Sequence, residues 1–227
     1  MEHVELQGLS IVLVGAFNPA IFNPNWLAAQ SVIKADEAAD ATVEVVHREI
    51  AQFTVGDLIF EITQDKFSLH TAAEPFVKGA DVVMEIFGVA LPHTPINAMG
   101  INYMAHFRVQ SRKQQTALGR ALAPVEPWGE WGAKVAQTET STGGMTSLTM
   151  MQVEPGDRVA GNIAVTVQPS HRLQPPGTGV YVQINDHYEA GPDASVNFPE
   201  LCVAKITPSL ERSRQIVDSL STYARSL

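Results

Sequence analysis

Residues 98–108 read Ala-Met-Gly-Ile-Asn-Tyr-Met-Ala-His-Phe-Arg, and the character of the side chains switches almost step by step. Met99, Ile101, Tyr103, Ala105 and Phe107 fall on one side of an extended chain, with Asn102, Met104, His106 and Arg108 on the other. A strand sends successive side chains to opposite faces, so this stretch lies on a core with one face and shows mainly polar groups on the other. The segment sits near the middle of the 227-residue chain and restarts an order of elements already used once.

The first use opens with Leu9-Ser-Ile-Val-Leu-Val-Gly-Ala-Phe17, a continuous apolar run that predicts a buried strand. Asn18-Pro19 turns the chain, and Asn23 is placed to cap a helix with Pro24 at its first position, where a missing N–H loses nothing. Trp26, Leu27 and Ile33 form the buried side of that helix. Three strands are predicted next, over 43–53 with a bulge near His47, over 57–63 and over 66–70, and spacers this short join antiparallel neighbours. Phe76, Val77, Ala80, Val83, Met84 and Phe87 recur at helical spacing and predict a helix over 73–89.

After the strand at 98–108 comes a predicted helix over 111–122, stopped by Pro124 and Pro127. A polar loop over 138–144 leads to strands over 146–153, 159–167 and 179–188, the last two joined by a Pro/Gly-rich tip expected to be mobile. A loop over 190–198 precedes a closing helix from about Pro208, with Leu210, Ile216, Val217, Leu220, Tyr223 and Leu227 as its stripe and Ser209 in water. The predicted class is α+β: a β-α-β-β-β-α unit written twice, residues 1–94 and 95–227 being two halves of one domain. Their strands would pool into one curved, mainly antiparallel sheet with helices on one side.

The net charge of −9 narrows the partners. Residues 1–110 hold 5 Lys/Arg against 13 Asp/Glu, or −8, and residues 111–227 hold 10 against 11, or −1. An acidic first half repels phosphate, so nucleic acid is not an expected partner. Arg112, Lys113 and Arg120, with Arg212 and Arg214, read as a solvated helix face. Cys202, the single cysteine, excludes an internal disulfide and reads as a small buried hydrophobe, which fits a reducing compartment. No apolar run reaches the ~18 residues of a membrane span, and no secretory leader is legible, so a soluble cytoplasmic protein with no membrane partner is expected.

No His-Glu-x-x-His, Cys-x-x-Cys or acidic Gly loop occurs, so neither a metal nor a cofactor is expected, and no residue is assigned as catalytic. The strongest polar constellation uses the outward residues of two strands: Asn102, His106 and Arg108 from one, Gln183, Asn185 and His187 from the other. If the strands are neighbours, these groups meet on one sheet face, where a ligand or peptide finds donors and acceptors. Asp186 beside His187 points the opposite way, which argues against a dyad. Ser141-Thr-Gly-Gly144 lacks the spacing and the lysine of a phosphate loop. Met145, Met150 and Met151 read as core filling before they read as an adaptable groove. Packing beneath the sheet edge is the plainer reading of Trp128 and Trp131, and anchoring of a partner is the alternative.

The element order resembles the saddle-shaped, TATA-binding-protein-like or helix-grip folds. Asn18-Pro19, Phe22, Pro24 and Trp26, followed by Gly100-Ile101-Asn102-Tyr103, also resemble the short motifs of a sporadically distributed bacterial family of uncharacterised proteins. The resemblance spans most of the chain and implies a duplicated saddle fold, with no established activity to carry over. Together these readings predict a non-enzymatic binding or assembly protein that self-associates or docks a protein partner. The alternatives are a small-ligand binder with a pocket between sheet and helices, or a hydrolase-type enzyme built on His106 and His187.

Overall fold

The alternating stretch forms β6 (Ile96–Arg108), one of two strands at the centre of a nine-stranded antiparallel sheet. The computed structural model describes residues 4–137, 141–191 and 195–227; residues 138–140 and 192–194, within the loops predicted over 138–144 and 190–198, lie outside them. In chain order the elements are β1 (Val4–Gly15), α1 (Pro24–Ala29), α2 (Ala35–Ala39), β2 (Thr42–Val46), β3 (Ile50–Val55), β4 (Leu58–Thr63), β5 (Lys66–Thr71) and α3 (Lys78–Val83). After β6 come α4 (Arg112–Leu122), α5 (Gly129–Gln137), β7 (Leu148–Val153), β8 (Ala160–Pro169), β9 (Gly179–Glu189) and α6 (Phe198–Ser226). The sheet order is β2-β3-β4-β5-β1-β6-β9-β8-β7, which makes β2 and β7 its edges.

Register fixes what each face carries. Leu9, Ile11 and Leu13 of β1 pair with Tyr103, Ile101 and Met99 of β6, and Phe107, Ala105 and Tyr103 pair with Val180, Val182 and Ile184 of β9. These side chains are buried, and α3, the turn after it and α6 pack on them: Phe76 meets Tyr103, and Phe87 meets Phe67 edge-on at 4.9 Å. Asn23 caps α1 as its sequence predicts, its side chain accepting from the Trp26 N–H at 2.9 Å.

Several expectations need correction. The single strand over 43–53 is a hairpin, β2 and β3, turned at residues 47–49 by a bond from the His47 N–H to the Ile50 carbonyl. The first half therefore places four strands after its helices and the second half three, so the two halves do not share one element count. The helix over 73–89 is a short α3 followed by a π-helical turn over Met84–Ala90. The last helix starts ten residues before Pro208: Asn197 caps it, Pro199 sits in its first turn, and Pro208 lies inside it. Burial of Cys202, Ile206 and Leu210 on either side offsets the lost backbone bond at Pro208. Ser209 is buried with Ser213 and Ser221, small side chains that let α6 lie close to the sheet, while Ile216 is only half-buried and Tyr223 is exposed.

One polar cluster ties this layer together. Asp186 projects from β9 on the helix side and accepts from Arg158 Nη1 at 2.5 Å and from Arg212 Nη1 at 2.9 Å; Asp157 accepts from both arginines as well. The Arg158 guanidinium lies 4.1 Å above the Tyr188 ring. Arg212, which its sequence places on a solvated face, is thus a structural counter-ion. No helix among the described residues is long and apolar enough to cross a membrane.

Candidate functional site

On the face away from this core, the β6–β9 register sets Asn102 opposite Asn185, Met104 opposite Gln183, His106 opposite Tyr181 and Gly100 opposite His187. All six polar residues singled out from the sequence occupy this one face of two adjacent strands, but they do not form one cluster. Arg108 is held by Glu5 at 2.7 Å and by Thr178, and His187 pairs with Glu189 at 2.8 Å. His106 and His187 lie at levels six residues apart along β6, roughly 20 Å, too far for one bond-making centre to use both. Asp186 points to the opposite face from His187, as alternation requires. Among the described residues, no three His, Cys, Asp or Glu side chains gather as a metal site would need.

Around His106 the face deepens into a recess of about 580 Å³. The tip predicted to be mobile supplies one wall. It folds back over the sheet, burying Leu173 and bringing Ser170 Oγ to 2.8 Å from His106 Nδ1. Ser170 Oγ also receives the N–H groups of Arg172 and Leu173, which fill its acceptor positions, so its own proton goes to Nδ1. The His106 imidazole therefore carries its proton on Nε2. Burial, and then the charge of Arg172, push its pKa down, so it is neutral near neutral pH. The Tyr181 ring packs against it at a tilt of 37°, with ring centroids 4.8 Å apart. Leu6, the cross-strand partner of His106, and Met104 line the recess beside it, and Ile59, paired with His70, lines the far side; Leu6 and Ile59 are exposed.

The second feature is the β7 edge. Its inner side pairs with β8 without interruption from Leu148↔Val167 to Val153↔Asn162, and the strand is otherwise bare, with Met150 68% and Val153 69% exposed. Met150 and Met151 are thus surface residues, whereas Met145 is buried and does fill the core. Between β7–β8 and α6 runs an apolar groove of about 690 Å³, lined by Leu148, Met150, Val165, Ile216, Leu220 and Tyr223. Trp128 and Trp131 do not pack beneath the sheet edge: they stand 63% and 60% exposed, rings 5.3 Å apart, because α5 buries only Gly132 and the 3-10 turn before it, Glu126–Trp128, buries no residue.

Sequence reasoning missed Ser170, Arg172 and Tyr181 in the recess. Their only signals were the outward parity of Tyr181 in its strand and two polar residues in a Pro/Gly-rich stretch. No protein-family model matches this chain, and no curated protein matches it.

Proposed function

We propose that this chain is a non-enzymatic assembly protein that pairs β7 with β7 of a second copy, making one continuous sheet across the pair. The uncharged edge carries this reading. Residues 145–153, Met-Thr-Ser-Leu-Thr-Met-Met-Gln-Val, hold no charge and no proline, and their pairing to β8 has no bulge. Exposed edges are normally guarded by charge, bulge or cover. The opposite edge has such guards: β2 is bulged between Val43 and Val45, carries Glu44 and runs into His47-Arg48-Glu49. Charge favours the same end, because contact through residues 111–227 joins halves of −1 and keeps the −8 halves apart.

Parity restricts the register. With both helix layers on one side, facing residues need the same parity, and the two such registers that overlap most of β7 set Met150 against Met150 of the second copy, or Met151 against Met151. Pairing extends the ladder over five of the six β7 residues and brings the exposed methionines and the apolar groove against their copies. A duplicated ancestry is a compatible part of this reading. Each half begins with a central strand, β1 or β6, and its last strand, β5 or β9, returns beside it, so the order is mirrored about the centre. Light scattering tests the proposal: wild type should elute at twice its 24.6 kDa chain mass, Met150→Lys as a monomer and Val46→Lys as a dimer. A monomeric wild type, or a Met150→Lys protein that stays dimeric, contradicts it.

A further inference from the structure

Independently of the edge, we infer that the recess beside His106 binds a medium-chain monocarboxylate, its headgroup held by Arg172 and His106 Nε2–H and its hydrocarbon body laid over Met104, Leu6 and Ile59. Three observations converge. First, in a chain of net charge −9, this recess is lined by Arg172, His70, His106 and His171 and by no Asp or Glu. The Arg172 guanidinium makes no hydrogen bond or ion pair with any described residue, and it is exposed at the rim. It still acts on His106 through space, which places its charge at the same end of the recess.

Second, the Ser170 contact fixes the His106 tautomer. With Ser170 Oγ occupied by two backbone N–H groups and donating to Nδ1, the ring offers an N–H donor at Nε2. A neutral donor and one guanidinium together match a single negative charge. A phosphate dianion would be left under-compensated. Third, Leu6, Met104 and Ile59 give the recess an apolar track that leads away from that end, bordered by Gln7 and Thr71 and reaching His70, the cross-strand partner of Ile59. Crossing from β6 to β4, by way of β1 and β5, takes the chain over Met104, Leu6 and Ile59 across about 14 Å of sheet. Gly8, opposite Met104 on β1, keeps the floor low between them. Exposed leucine and isoleucine in the same recess as a cation with no partner among the described residues suit an amphipathic anion better than they suit water.

Decanoate is the probe, titrated calorimetrically into the full chain, with 1-decanol and inorganic phosphate as comparisons. Saturable decanoate binding is expected, with at least tenfold weaker binding of 1-decanol and no competition from phosphate. Arg172→Gln, a change at an exposed side chain, should weaken decanoate at least tenfold, and Met104→Trp should abolish binding by filling the recess. Met150→Lys, on the distant edge, should leave it unchanged, which separates this site from the apolar groove. No saturable decanoate binding, equal affinity in Arg172→Gln, or decanol binding as well as decanoate overturns the assignment.

Discussion

Replacing Asp186 by Ala removes the acceptor that Arg158 and Arg212 share inside the helix layer. The Arg158 side chain is 2% exposed and that of Asp186 is 1% exposed, so water cannot take over the lost contact. Breaking a buried pair by deleting one partner typically destabilises by about 3–5 kcal/mol, because the other charge is left uncompensated. Here Arg158 keeps Asp157 at 2.7 Å and the carbonyls of Asn162 and His187, which places the loss near the low end, about 3 kcal/mol. Arg158 Nη2 already lacks a partner among the described residues, so the site has no spare acceptor to take up the freed Nη1 donor. Asp186→Asn, which keeps an acceptor and loses the charge, should destabilise by about 2 kcal/mol. The Arg158→Met/Asp186→Leu double variant should recover most of the loss, since hydrophobic replacement of a buried pair is often neutral. Urea unfolding at fixed protein concentration reads all three. A loss below about 1 kcal/mol for Asp186→Ala, or a double variant no better than the single, would refute the reasoning.

Other expectations follow from the same geometry. His70 and His106 both have lowered pKa values, burial being the first cause in each. The folded chain then binds fewer protons than the unfolded one, so their contribution is complete above about pH 6.5 and is lost as pH falls through the lower folded values. The urea midpoint of wild type should drop between pH 7 and 5, and a His70→Gln/His106→Gln variant should show a shallower slope; equal slopes would contradict this assignment. Cys202 is fully buried and its thiol is pushed up to about 12, by burial first and then by Asp81, so a thiol reagent at pH 8 should label it only after unfolding. Gly119→Ala should be severely destabilising, above about 3 kcal/mol, because a Cβ there would sit 1.8 Å from the Thr142 carbonyl oxygen. Trp128→Ala/Trp131→Ala should change stability by no more than about 0.5 kcal/mol, and a loss beyond about 1.5 would mean that the rings pack after all.

Where period-two alternation is strict, the sequence and the structure agree. Residues 98–108 and 179–188 alternate cleanly, and their parity places Asn102, His106, Gln183, Asn185 and His187 on one face without further information. The 43–53 run misleads because its turn uses His47, Arg48 and Glu49 where a Gly or Asn signal would ordinarily stand. Pro208 hides the first third of α6, since a proline reads as a boundary and only the tertiary contacts of Cys202 and Ile206 show that the helix continues. Ser209, Ser213 and Ser221 look like a wet face until α6 is seen lying close to β6. The His106 recess was half legible. Its floor follows from strand parity, but its wall is a Pro/Gly-rich loop whose fold-back depends on the Ser170–His106 contact between residues 64 apart in sequence.

Cross-linking at the edge strand addresses the assembly account most directly. Met150→Cys and Met151→Cys variants place a thiol where each candidate register brings two copies face to face, and Val46→Cys places one on the guarded edge. Opposed residues of an antiparallel pair lie about 4.5–5.5 Å apart at Cα, within disulfide reach. Under mild oxidation of the native protein, one of the two β7 variants should form a covalent dimer in high yield while Val46→Cys stays monomeric on a denaturing gel. Failure of both β7 variants to cross-link, or equal cross-linking by Val46→Cys, would contradict pairing through β7.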